Sequence, residues 1–540
     1  MIIRRLSILL FVISILLSVV APVTAQEQRV MVRIDKADYL RHDDKIGKNT
    51  QSLNGNVVLS HHKTILHCDS AYMYNDSNVV VAYGSIHVIQ NDSIHLYGNR
   101  LTYYGDKQFA KIRENVRANK GETWLYTEYL DFDQVDNKAF FYDGGKVVNG
   151  PNTLTSQRGI YYPNTNDVYF KDDVVGISRQ ATMYSDTMLF NTQTEVTTIL
   201  GPTTIINQDS SVINSEKGWY DTKADVAKLL LNNKITTKNY TLTGETILYE
   251  KYKGIGTVWN NMVLTDTIDN MSLCGDYGFY NERTDEALAT RRAKALQVYN
   301  GDTLQMHADT FRVVPLPADT SRLVKAYHHV KFFRHDMQGR CDSLVFDFRD
   351  SIASMYISPI VWAMGNQMTG NVIKLYTRNQ VLYKTELIEA AFAISPEQTP
   401  AEEGDSLVTI GYNQVKGKLM TGHIRNNELY KIDVDGNGQT IYYPKDDQTL
   451  IGINRAESSN LTIWLKERKI TNITMRVSPS GNMNPPLLLG EEDKKLAGFR
   501  WLDDYRPKRW EDIFERMDIP EELNVQAEVY EGYTFDELGE

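Results

Sequence analysis

Three sets of residues in this 540-residue chain have the types and spacing for chemistry. His61, His62 and His67 cluster, as do His328, His329 and His335, and imidazole nitrogens can ligate a metal when they converge on one point. In an alternating strand, however, neighbouring side chains point to opposite faces, so few of these could share one ion. Surface or structural roles are expected, with no metal site. Asp433-Val434-Asp435-Gly436-Asn437-Gly438 matches the opening of a calcium loop. Its twelfth position is Pro444, where that loop needs a bidentate Glu. A hairpin turn of residues that tolerate left-handed angles explains the segment with fewer assumptions. Carboxylates recur at Asp69, Asp131, Asp172, Asp173 and Asp186. Two at a suitable separation would serve a glycosidase, but Asp is also the ordinary turn residue and here it returns with a repeat. A Gly-rich phosphate loop, a Gly-x-Ser-x-Gly elbow and a Cys-x-x-Cys pair are all missing from the sequence. No catalytic residue and no cofactor is assigned, and the chain is read as not an enzyme.

The elements that carry these residues repeat. A polar turn follows a strand ending on an aromatic at Tyr74, Tyr103, Phe132, Tyr162, Phe190, Tyr220, Tyr249 and Tyr280, spaced 29, 29, 30, 28, 30, 29 and 31 residues apart. A fixed period of this size marks a stacked architecture in which no unit buries its apolar face alone. Each unit reads as a hairpin of two long strands, such as "IHLYGNRLTYY" and "FAKIRENVRA". Each returning arm is interrupted, at Gly84, Asn115, Gly145, Asp173, Gly201, Asn233 and Asn261. Gly and Asn accept angles that bulky residues resist, and inside strands they mark bends. A bend on every arm folds the stack into two facing sheets, a V or flattened roll. Alternation around the bends turns Ile94, Leu96, Leu101, Leu130, Phe140, Val147, Leu154 and Phe170 inward. The aromatics Tyr103, Phe132, Tyr162 and Phe190 are expected to stack in the same interior. The period continues at Phe346 and Tyr376, with "SPEQTPAEEGDS" read as an exposed loop inside a hairpin.

Bulk properties agree. Tyr is abundant at 32 residues and Pro scarce at 15, which suits strands. A net charge of -11 argues against nucleic acid as a partner. Arg4 and Arg5 precede an apolar run from Leu6 to Val20, and Val23-Thr24-Ala25 fits a cleavage site before Gln26. This reads as a signal peptide and export. An odd count of three cysteines, Cys68, Cys274 and Cys341, leaves at least one unpaired. Cys68 and Cys274 each precede an aromatic anchor by six residues, so they are expected at equivalent places in distant units, with no intrachain disulfide. The expected organisation is a signal peptide over 1–25, regular repeats over 26–300, divergent repeats over 301–478 and a tail over 479–540. "PKRWEDIFERM" in the tail suits a short helix after Pro507.

The phrases "LYGNRLTYYGDKQFAKIRENV" and "LYTEYLDFDQVDNKAFFYDGGKV" resemble the OstA-like family, which includes the periplasmic LptA-type lipopolysaccharide-transport proteins. Gly98, Tyr103, Ala110, Asn115 and Val116 carry the likeness in one unit, and Phe132, Ala139, Gly145 and Val147 in the next. It runs from about residue 30 to 290 and more weakly to about 475. The resemblance implies an all-β, elongated open β-jellyroll whose apolar interior carries acyl chains of lipopolysaccharide or another acylated lipid across the periplasm. The twelve inner-face residues named above would then line a lipid groove. Edge strands would pair with inner- and outer-membrane transport components, or end to end with further copies. "RVMVRID" is the expected N-terminal edge, and Val32→Pro is expected to remove one of its ladder donors. A charge at Leu130 is expected to leave an open groove folded. The alternative is a β-solenoid surface protein or glycan-binding enzyme. A transport groove calls for an interior too wide to fill; the alternative calls for a packed interior and a polar cleft on an outer face.

Overall fold

The computed structural model describes residues 29–42, 47–268, 270–299, 301–316, 321–400, 407–446 and 449–520. The expected signal peptide lies outside them. Antiparallel strands make nearly all of the regular structure, and the helices among the described residues are four short 3-10 turns. By its contacts the chain divides into two units, one of residues up to 179 with 186–194, the other of 180–185 with everything from 195 onward.

In the first unit, nine strands from Thr50–His61 to Asp167–Ile177 pair in sequence order, each 11 or 12 residues long. Every pairing shifts register near its middle, for example between Tyr83 and Ile86 and between Arg113 and Val116. The cause is a pair of left-handed residues on every second strand: Gly55–Asn56, Gly84–Ser85, Glu114–Asn115, Asp143–Gly144 and Asp172–Asp173. Such angles favour Gly, Asn and Asp, and two in succession turn the strand while keeping the same face inward on both sides of the bend. At one expected break the residues are Asp143 and Gly144, not Gly145. Gly145 instead makes room: a Cβ there would lie 2.3 Å from Phe141, and one on Gly159 would lie 2.2 Å from the same ring. Gly145 and Gly159 lie on opposite sides of the bend, so the Phe141 ring packs where the two sheets face each other.

Turn chemistry is periodic too. Asp133 Oδ1 accepts the amides of Val135 and Asp136, and Asn191, Asp221, Asn281 and Asp347 cap their own tips the same way. At the N-terminal edge Arg33–Lys36 and Tyr39–His42 pair with the strand Thr50–His61. Val32 precedes that edge strand, and its amide donates to Asn78 Oδ1 at 2.9 Å, so it is not a ladder donor.

The second unit continues the hairpins with shorter, separated half-strands, such as Val196–Ile199 and Thr203–Asn207. Left-handed pairs recur at Asn260–Asn261, Arg291–Arg292, His328–His329, Ile357–Ser358 and Glu389–Ala390. Gly436 and Asn437, from the calcium-like segment, form another such bend inside the strand Glu428–Tyr442, with a register shift between Asp435 and Gly438. They make a mid-strand bend, not the expected hairpin turn. Ser395–Pro400 belongs to the strand Val381–Pro400 and not to a loop; 401–406 lie outside the described residues.

The tail docks on its own unit. Gln367 Nε2 donates to the Arg500 carbonyl and its Oε1 accepts the Leu502 amide, both at 2.7 Å. Gln414 does the same with Lys494 and Leu496, each at 2.8 Å. Leu496 packs with Phe392, Ile394, Ile441 and Ile453, and Leu502 with Ile360 and Trp362. The expected short helix is a 3-10 turn, Trp510–Phe514, opened by Asp512 accepting the amides of Lys508 and Arg509.

Candidate functional site

The bends bring two sets of inward side chains together. On one side lie Leu101, Leu130 and Phe170, with Tyr103, Phe132 and Phe190 nearer the tips; on the other lie Leu96, Val147 and Leu154, with Ile94 at the far end. All ten are at most 6% exposed. Phe140 and Tyr162 are half-exposed and take the outward register. Phe141, 2% exposed, holds the inner position instead, and Tyr161 faces inward, its phenol pushed up to about 12 by burial. In the first unit Met73, Tyr103, Phe132, Tyr161 and Phe190 take the inner register, Tyr161 with some exposure, and in the second Tyr220, Tyr249 and Tyr280 do; Tyr74, Tyr162, Phe346 and Tyr376 stand half-exposed. A side-chain period of two makes a one-residue slip a change of face. The same slip separates the cysteines: Cys68 is buried facing in, whereas Cys274 is half-exposed. All three cysteines are free, and burial raises each thiol.

The interior is packed. Leu130, Phe132 and Phe170 have no exposure, and the enclosed space beside Leu59, Leu66, Val88 and Tyr103 amounts to about 20 Å³. This departs from an interior too wide to fill, and Leu130 offers a charge no route to water.

Polar groups close the sheets at the tips, and these the sequence reading missed. The Tyr103 hydroxyl stands 2.7 Å from His61 Nδ1 and 3.0 Å from Gln134 Oε1, and Gln134 Nε2 donates to Thr64 Oγ1 at 3.1 Å. The Lys120 ammonium donates to the Pro163 carbonyl and to Asn166 Oδ1, and Asn149 Nδ2 to the Thr192 carbonyl at 2.8 Å. In the second unit Lys251 joins Asp209 and Glu282. Burial alone would lower its ammonium, but the bond to Asp209 and its neighbours carry it above its ordinary value. Arg322 pairs there with Asp266 at 2.6 Å, the two side chains 14% and 4% exposed. The available signal was a polar residue at a strand end in recurring register, such as Thr64, Lys120 and Asn149.

The chemistry-bearing residues find separate partners. His328 faces Asp342, His329 Asp309 and His335 Asp302. Asp302, His335 and Asp336, of which His335 is exposed and the carboxylates half-buried, do have ligand atoms within 4.8 Å of one another, but Asp336 already pairs with Arg334 at 2.6 Å. Asp69 accepts from Ser85, Asp131 from Arg113, Asp172 from Arg158 and Asp186 from Thr187. No helix of the described residues is long and apolar enough to cross a membrane.

No protein of curated function matches the chain. Among solved structures it is similar to LptH of Pseudomonas aeruginosa, described as the LptA-homologous periplasmic component of the conserved lipopolysaccharide transport device. That likeness has 18% identity and a TM-score of 0.14, and covers 25% of this chain and 79% of the other. The family described as OstA-like protein matches residues 28–186 and 178–299. These stretches join into one that spans half of the sequence, and the chain belongs to the OstA-like protein family.

Proposed function

We propose that this protein is a non-enzymatic periplasmic lipid carrier. It holds acyl chains of lipopolysaccharide, or of another acylated lipid, between its two sheets and passes them toward the outer membrane. The observation that carries the reading is the inner apolar register, kept from hairpin to hairpin through every bend of the first unit. An acyl chain gains about 0.8 kcal/mol per buried CH₂, so an apolar track can hold a lipid without a reacting group. The packed interior makes the tip contacts the gate. The sheets part there, where polar bonds exchange with water, and the bends act as hinges. Edge pairing with membrane-bound transport components completes the bridge.

The experiment places a photo-crosslinking amino acid at Leu96 or Leu130, and at Phe140 as the outward control, in cells that make lipopolysaccharide. Lipid adducts from the two inner positions and none from Phe140 support the reading. Adducts from neither inner position, with normal export, overturn it.

A further inference from the structure

The outer face of the first unit carries a second, unlike row. Register places His87 opposite Tyr97, Tyr97 opposite Arg117, Arg117 opposite Tyr126 and Tyr126 opposite Lys146. These five side chains stand on five adjacent strands, about 4.8 Å apart from strand to strand. The His87 and Tyr97 rings stack at 4.5 Å with 9° between their planes. The Arg117 guanidinium lies 5.4 Å from the Tyr97 ring, and Trp124 stacks beside Tyr126 at 6.2 Å. The row lines an open trough of about 950 Å³, whose opposite wall is the line of bends with Glu128 and Asp143. Arg117 and Lys146 are exposed and have no carboxylate partner among the described residues. This is the polar outer cleft that a glycan-binding protein calls for.

We propose that the trough binds an anionic oligosaccharide, a hydroxyl-rich chain carrying isolated phosphate or carboxylate groups. The Tyr126 ring, 40% exposed, offers a flat apolar face to the C–H face of a pyranose ring, while Tyr97, held between His87 and Arg117, fixes the guanidinium in place. Arg117 presents a planar fork that matches a phosphate or carboxylate, and Lys146 adds a point charge one strand beyond Tyr126. Glu128 and Asp143 accept from sugar hydroxyls. They also oppose a ligand charged at every step, which separates this chemistry from nucleic acid and from an acidic peptide. Burial holds the His87 imidazole below its ordinary value, and its Nε2 is already engaged with His95 Nδ1 at 3.2 Å, which leaves Nδ1 to meet the ligand. The site stands on the trough alone and does not require acyl chains to enter the interior.

The test titrates the purified chain with a deacylated, phosphorylated lipopolysaccharide core oligosaccharide, read by calorimetry. Because the probe has no acyl chains, its result is separate from the fate of the lipid reading. Saturable binding is expected, weakened about tenfold or more in Arg117→Gln and in Tyr126→Ala. A neutral oligosaccharide of the same length, with neither phosphate nor carboxylate, should depend on Tyr126 and no longer on Arg117. Both residues are exposed, so unchanged melts certify folded variants, and Arg100→Gln, on the other side of the bend, should bind normally. Absence of saturable binding, binding indifferent to both variants, or equal displacement by inorganic phosphate or a polyaspartate peptide overturns the proposal.

Discussion

At the residue scale, position relative to the bend decides what a substitution does. Leu130 and Phe140 sit on neighbouring strands, yet one has no exposure and the other faces out. Leu130→Asp buries a charge without a partner and should abolish the cooperative melt, whereas Phe140→Asp should shift stability by about 1 kcal/mol or less. Circular dichroism melts of the two variants check this, and equal melts would mean that the inner register is wrong. His307 is a second case. Its Nδ1 donates to the Ala293 carbonyl at 2.7 Å and its ring lies 4.8 Å from Phe514 of the tail, with Asp309, Lys331 and Arg516 nearby. Burial holds its imidazole below the ordinary 6.5. The neutral form is the folded form, so its contribution is fully present above pH 6.5 and is lost as pH falls through the lower folded value. Protection of the tail amides near Phe514, after correction for the intrinsic pH dependence of exchange, should fall between pH 7.5 and 5.5, and His307→Gln should flatten that dependence.

At the element scale, the tail is held by side chains that imitate a neighbouring strand. The Gln367 and Gln414 amides are each 1% exposed and each bond one carbonyl and one amide of the tail. Gln367→Leu removes the bonds to the Arg500 carbonyl and the Leu502 amide, a loss of about 1–3 kcal/mol from docking. Limited proteolysis should then cut within residues 490–515 while the strands resist. Unchanged protection would show that Leu502 against Ile360 and Trp362 suffices. The sequence set residues 479–540 apart from the repeats as a tail, but its docking surface on Gln367 and Gln414, and on Gln338, whose Oε1 accepts from Arg506 Nε at 2.7 Å, had no local signature. A Gln reads as a solvated residue until the segment that covers it is known.

At the scale of the whole molecule, nearest-neighbour stacking makes the hairpin a removable part. Deleting Ser85 through Glu114 joins Gly84 to Asn115 and restores the Gly-Asn bend already present at Gly55–Asn56. Inner register is kept on both sides, and Phe132 takes the place of Tyr103. The shortened protein should remain strand-rich with a cooperative melt. Aggregation or loss of strand signal would argue that contacts beyond neighbours hold the unit together. A lipid track would survive the deletion, shorter by one hairpin, and crosslinking from Leu130 would still report it.

The period, the hairpins, the bends and ten of the twelve inner positions were legible in the sequence, because each depends on local chemistry: alternation, αL-tolerant pairs and self-capping turns. Phe140 and Tyr162 were misplaced since two adjacent aromatics, Phe140–Phe141 and Tyr161–Tyr162, leave the face undecided until strand register is known. Only the tertiary structure decided that the interior is filled, that His61, Lys120 and Lys251 fasten opposite sheets at their tips, and that His87, Tyr97, Arg117, Tyr126 and Lys146 form one row. Those contacts join residues tens of positions apart through pairing across strands and across the bend, and no local pattern encodes which distant side chain will arrive.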